Sequence, residues 1–305
     1  MCSLLHMTQE QRKELAEVVL DGLSVGDAFG ELFAYGSESV RERVGKGVMA
    51  GPWWWTDDTA MALGIMECLQ RAGTIEEPTL AWIFSRNYKR QPDRGYGRMA
   101  RKVLGGIAAG EDWQHVSSNA FDGGSMGNGG AMRVGPLGAW FADDLDRVAK
   151  EAWRSARVTH WHPEGIAGAV AVALAVALAW QTRDLPAAEA RRIISSEMVK
   201  RTPEGATHSM VESACRFDPS SSPAEAGRNL GNGALVTAPD TIPYVIWSAL
   251  RSLDDFAEAL LATVEGGGDC DTNAAMVGSI VAARLGRSSI PAEWLTAREP
   301  LPQLA

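Results

Sequence analysis

Residues 166–180 read IAGAVAVALAVALAW, an alanine-rich run that is apolar all the way round, with no polar stripe to face water. Such a segment is a helix buried on every side, and only a large helical core has room for one. It falls short of the roughly 20 residues a bilayer requires. The N-terminus MCSLLHMTQEQRKEL turns charged before any apolar stretch long enough for a signal peptide. No export signal and no membrane anchor is therefore expected.

Outward from that run the same periodicity recurs. Thr8 and Gln11 form a capping box, and Leu15, Val18, Val19 and Leu23 follow at helical spacing, which predicts a first helix over 8–23. Like spacing predicts helices over 59–71, 78–89, 97–109, 144–159, 186–201, 243–251, 254–265 and 273–285. Alternating β-branched strands are nearly absent, no internal repeat or long linker appears, and DPSSSP at 218–223 reads as a loop. The expected fold class is all-α, a single domain over 1–305.

The 305 residues are 46% hydrophobic and 22% charged with 14 prolines, a globular balance rather than a disordered one. A net charge of −9 gains nothing from counterion release on a phosphate backbone, which argues against generic nucleic-acid binding. Cys2, Cys68, Cys215 and Cys270 show no C-x-x-C spacing and are expected to be reduced, in a cytoplasmic protein.

Glycine, aspartate and asparagine concentrate in a few segments that read as connecting loops, where function tends to reside. They are GDAFG (26–30), WWWTDDT (53–59), PDRGYG (92–97), GGSMGNGGAMR (123–133), THWHPEG (159–165) and GGGDCDTN (266–273). Thr56, Asp57 and Asp58 precede one apolar-periodic segment, and Asp269, Asp271 and Thr272 precede another. Acidic N-caps are one reading, since these side chains satisfy free N–H groups and favour the helix dipole. Four carboxylates exceed what two caps need, however. Oxygen donors without a Cys/His pattern select hard ions such as Mg²⁺ or Mn²⁺, so a two-metal centre is the sharper reading. Cys270 reads as packing. The glycine loop at 123–130 offers unhindered N–H groups for a phosphate or sugar, or is simply a turn. His160 and His162 lack zinc-motif spacing, and one is expected to face a ligand while the other packs. The Trp53–Trp54–Trp55 run reads as packing, or as an aromatic surface beside the acidic loop.

Taken in order, GDAFG, WTDDTAMAL, PDRGYG, GSMGNGGAMRVGPLG, THWHPEGIAGA, DTIP (240–243), GGDCDTNAAMVGSIVAARLG and IPAEWL resemble the ADP-ribosylglycohydrolase family across about 19–295. The resemblance implies an orthogonal all-α bundle with a binuclear Mg²⁺ or Mn²⁺ site. It also implies hydrolysis of the bond joining the C1″ ribose carbon of ADP-ribose to a modified acceptor such as a protein. It makes Thr56, Asp57, Asp58, Asp269, Asp271 and Thr272 the metal ligands, with Asp57, Asp58 and Asp271 in the catalytic centre. Ser125, Asn128 and His160 would contact ADP-ribose, with Gly127, Gly129 and Tyr96 contributing; Met126 stands where some relatives carry an aromatic. The family's first motif usually reads G-D-x-x-G-x-x-x-E, but the glutamate's place here holds Ala34. Glu31, almost one helical turn earlier, reads either as a stand-in carboxylate for proton transfer or as a solvated surface acid. Two alternatives accompany this reading: a binding protein without chemistry, favoured by Ala34, and a pyrophosphohydrolase of free ADP-ribose. The acceptor would meet a rim formed by Trp53–Trp54–Trp55 and the loop after Gly30.

Overall fold

A computed structural model of the chain describes residues 6–34, 40–47 and 50–303. In chain order the first eight helices are α1 (Gln9–Glu31), α2 (Val40–Gly45), α3 (Asp57–Ala72), α4 (Glu77–Arg90), α5 (Arg98–Ala108), α6 (Trp113–Ser118), α7 (Gly135–Trp140) and α8 (Leu145–Arg157). They are followed by α9 (Pro163–Gln181), α10 (Ala187–Arg201), α11 (Ala206–Arg216), α12 (Pro223–Leu230), α13 (Ala238–Arg251), α14 (Phe256–Glu265), α15 (Cys270–Leu285) and α16 (Ala292–Ala297). No strand occurs among the described residues, only the isolated bridges Trp53–Arg298 and Gly127–Thr237. The fold is all-α, as the periodicity predicts.

The alanine-rich run forms α9, buried from Gly165 to Ala179 and surrounded by α7, α8, α10, α13 and α15. By length and composition this helix is apolar enough to cross a membrane, yet it lies inside the protein. Its small side chains let neighbouring helices close in on every face, which accounts for the absence of a polar stripe.

The first helix departs from expectation. α1 does not stop at Leu23; it runs through GDAFG to Glu31, so that motif is not a loop. Its glycines recur every four residues along one face, and that face is pressed against α15. A Cβ on Gly22 would lie 2.5 Å from the carbonyl oxygen of Gly278, one on Gly26 2.1 Å from that of Ala274, and one on Gly30 2.3 Å from that of Cys270. The glycines therefore serve close helix approach rather than a turn. This contact carries Asp27 and Glu31 to the N-terminus of α15, where Asp269 and Asp271 lie.

Other differences have local causes. α13 starts at Ala238, before the expected 243, and Pro243 sits in its second turn. α15 starts at Cys270, three residues before the expected Asn273, so Asp271 and Thr272 belong to its first turn. α11 was not anticipated because its N-terminus is capped from a distance: the Glu164 carboxylate accepts from the amides of Ala206 and Thr207 at 2.9 and 2.7 Å.

The tryptophan run does not form a rim. Trp53 and Trp55 are buried, and Trp54 is 60% exposed. Trp53 packs with Phe29 and Trp294, and its backbone pairs with the C-terminal segment through Ala297 and Glu299. The Arg94 guanidinium stacks 3.4 Å over Trp55. Part of the loop after Gly30, at 35–39, lies outside the described residues, as does Cys2. Cys68, Cys215 and Cys270 are free thiols.

Candidate active site

The starts of α3 and α15 come together beside the end of α1. Neither N-cap residue, Thr56 or Asp269, makes a side-chain capping bond to its own helix. Capping of α3 falls instead to Asp27. Its carboxylate accepts from the Thr56 amide at 3.1 and 3.0 Å and from the Thr59 amide at 3.0 Å. The hydroxyls of Thr56 and Thr59 add bonds of 2.8 and 2.5 Å. Asp27 is wholly buried and is the site residue that sequence reasoning missed. Its one signal, an acid inside the apolar face of a helix, is hidden because GDAFG reads as a connecting loop.

Because Asp27 does the capping, Asp57 and Asp58 are free to face elsewhere. Asp58 Oδ2 lies 3.2 Å from the Thr56 hydroxyl and 3.4 Å from that of Thr272. Asp58 Oδ1 is buried and has no partner. Carboxylate oxygens of Asp27, Asp58 and Asp271 lie within 4.8 Å of one another. Burial, with the charge of Asp271 added, pushes Asp27 and Asp269 up to about 7. Burial and the surrounding carboxylates hold Asp57 and Asp58 well above the usual range. Packed like-charged acids with an orphaned oxygen are the environment a divalent cation relieves, and an all-oxygen donor set fits Mg²⁺ or Mn²⁺. Cys270 is no competitor, since its thiol points to the Val264 carbonyl at 3.9 Å and burial pushes it up to about 12.

Asp57, Asp58, Asp269 and Asp271, though not Asp27, border a cavity of about 640 Å³, a size suited to a small organic ligand. The glycine loop makes a wall. It is pinned to the start of α13 by the Asn128 amide on the Val236 carbonyl (3.2 Å) and the Ala238 amide on the Met126 carbonyl (2.9 Å). Gly124 has φ +96°, and a Cβ there would fall 2.7 Å from the backbone nitrogen of His162, so only glycine fits. Ser125, Met126, Gly127, Asn128 and Gly129 all border the cavity. Ser125 accepts from the Gly127 amide at 3.2 Å. Asn128 donates to Asp269 at 2.6 Å and to Thr241 at 3.1 Å, tying the glycine loop to the acidic cluster.

Both histidines reach the cavity. His160 is buried, and its ring lies against Gly127 and Gly129; His162 caps α9 by accepting from the Glu164 amide at 3.1 Å. Tyr96 does not border the cavity: its ring is buried edge-on to Tyr88, and only its neighbours Gly95 and Gly97 reach the wall. Glu31 is half-buried outside the cavity lining. Its carboxyl is raised by burial and by the charge of Asp271. The mouth carries exposed Phe121, Met126, Leu235 and Val236. Phe121 (φ 58°) and Val236 (φ 56°) are the two non-glycine residues with positive φ among the described residues. A β-branched residue in that region is strained, and nothing in the amino-acid pattern announces it.

Comparison with known proteins gives a consistent result. A family model described as ADP-ribosylglycohydrolase matches residues 8–305. The ADP-ribosylhydrolase ARH3 of Homo sapiens is 30% identical over 272 residues, covering 79% of this chain and 73% of its own. The ADP-ribosylarginine hydrolase Tri1 of Pseudomonas putida is 27% identical over 302 residues, covering 95% and 75%. A solved structure described as an ADP-ribosylglycohydrolase-related protein complex superposes with a TM-score of 0.69 at 26% identity, covering 95% of this chain and 94% of that one. With the acidic helix starts and the glycine loop joined around one cavity, and a family match spanning nearly every residue, the chain belongs to the ADP-ribosylglycohydrolase family.

Proposed function

We propose that the protein is a metal-dependent ADP-ribosylhydrolase that cleaves the bond between the C1″ ribose carbon of ADP-ribose and a modified acceptor, a protein in the leading reading. The observation that carries this is the unpartnered Asp58 Oδ1 inside a buried carboxylate cluster, at one end of a cavity walled by a glycine loop. Thr56, Asp57, Asp58, Asp269, Asp271 and Thr272 would hold two Mg²⁺ or Mn²⁺ ions, with Asp27 fixing the first three from behind. When bound, such ions supply positive charge against the ribose hydroxyls and the reacting bond. The glycine-loop amides and Ser125 hold the sugar and phosphates, and Asn128 keeps Asp269 in place. Water adds to C1″, and the acceptor leaves with a proton. Glu31 stands outside the cavity lining but near enough to Asp271 for that charge to raise its carboxyl, and it is the group assigned to that transfer.

Product identity is the test. Incubation with ADP-ribosylated arginine, serine and nucleobase conjugates, with Mg²⁺ or Mn²⁺ and with chelator, is expected to release intact ADP-ribose from at least one conjugate only when metal is present. AMP plus ribose phosphate from free ADP-ribose would replace this reading with a pyrophosphohydrolase. No product, with metal binding demonstrated, would replace it with the binding protein that Ala34 favours.

A further inference from the structure

The guanidinium of Arg133 lies wholly inside the protein, 4.5 Å above the centre of the Phe84 ring. Nη2 donates to the Ser155 carbonyl at 2.8 Å, and Nη1 donates to Thr159 Oγ1 at 2.9 Å. Nη1 also lies 3.6 Å from Met61 Sδ, and Nε has no partner. None of these partners is a carboxylate, and a buried cation held that way is costly to keep.

Its geometry gives it a task. A guanidinium can only donate, so Thr159 Oγ1 accepts from it. The same oxygen lies 2.8 Å from His160 Nδ1. Were Nδ1 protonated, Thr159 would accept twice and its own hydrogen would be stranded at a buried site, an arrangement that native structures avoid. The hydroxyl hydrogen therefore goes to Nδ1, and the proton of the neutral ring sits on Nε2. Burial and the Arg133 charge hold the imidazole down at about 3, so the ring is neutral at physiological pH. Nε2 is the edge turned to the glycine loop: a Cβ on Gly127 or Gly129 would come within 3.3 or 3.0 Å of it.

We propose that Arg133 is a positioning residue that acts through Thr159 to hold His160 as the Nε2–H tautomer, presenting a hydrogen-bond donor to a phosphate oxygen of a ligand lying along the glycine loop. The opposite tautomer would turn a lone pair toward an acceptor-only group and repel it. The relay gives a task to the arginine side chain of GGAMR, which feels the charge of Asp57 but makes its hydrogen bonds to Thr159 and Ser155 rather than to a carboxylate. Its ligand half rests on the ADP-ribose reading above, whereas its tautomer half does not.

The experiment is NMR of the full chain labelled with ¹⁵N-histidine at neutral pH, with His160→Ala assigning the signal. The wild-type protein is expected to show a pyrrole-type Nε2 and a pyridine-type Nδ1 on His160. Thr159→Val is expected to give mixed tautomers and about tenfold weaker ADP-ribose binding by calorimetry; Thr159→Ser restores both. A wild-type His160 protonated on Nδ1, or a Thr159→Val protein with unchanged tautomer or affinity, overturns the proposal. The wild-type spectrum requires no variant to fold. The expected spectrum in a protein that does not bind ADP-ribose supports the relay and counts against the function proposed above.

Discussion

Asp27 shows what one side chain contributes when it is placed behind a site rather than in it. Its two oxygens accept from the amides and the hydroxyls of both Thr56 and Thr59 at the start of α3. Asp27→Asn would turn an amide N–H₂ toward those donors, and is expected to lower stability in urea titration by about 1–3 kcal/mol. Mn²⁺ affinity should fall roughly 10–100-fold, as when a group orienting metal ligands is lost. Glu31→Gln makes a separate prediction: turnover falls about 10²–10⁴-fold while ADP-ribose affinity stays near native, read by steady-state kinetics beside calorimetry. Wild-type kinetics in that variant would remove Glu31 from the reaction. Asp57, Asp58, Asp269 and Asp271 were legible in the amino-acid order because they recur in pairs ahead of apolar periodicity. Asp27 and Arg133 were not, since each is a single charge whose meaning depends on what a distant helix brings beside it.

At the scale of elements, the approach of α1 to α15 decides whether the acids meet. Gly26→Ala places a Cβ 2.1 Å from the Ala274 carbonyl oxygen, and neither backbone can yield without parting the helices. A loss of about 1–3 kcal/mol or more is expected, with weakened metal binding because Asp27 and Asp271 separate. Gly105→Ala is the control. That glycine lies within α5 and has nothing within 4 Å of a Cβ, so alanine should stabilise by about 0.5–1 kcal/mol with metal binding unchanged. Equal stabilisation in both would mean that helix propensity, not close packing, governs these positions. Most helices were readable from apolar spacing alone. GDAFG departs because its glycines serve packing, and α11 because its cap comes from Glu164; the short α6 and α12 are missed although Asp112 and Ser222 cap them locally.

Over the whole molecule, the buried acids make stability depend on pH and on cations. Folding raises the carboxyls of Asp27, Asp57, Asp58 and Asp269. Their contribution is therefore full below the ordinary carboxylate range and is lost as pH rises, through about 7 for Asp27 and Asp269 and in the same direction for Asp57 and Asp58. His160, held down at about 3, acts in the opposite sense below its ordinary value, one group against four. Asp143, Glu164 and Glu258 are lowered, and their stabilisation is lost only at more acidic pH. Metal-stripped protein should thus show a Tm that falls between about pH 5 and 8, and saturating Mg²⁺ or Mn²⁺ should flatten that fall, contributing about 2.7 kcal/mol at 100 times Kd. A metal-free Tm that rises across the window would contradict the sign. The central claim, that the converging helix starts hold divalent cations, is tested most directly by titrating Mn²⁺ into chelator-stripped protein and into Asp58→Asn, with bound metal counted by electron paramagnetic resonance. The account predicts two ions per wild-type chain and marked weakening in the variant; no binding by the wild type, or equal binding by both, would contradict it.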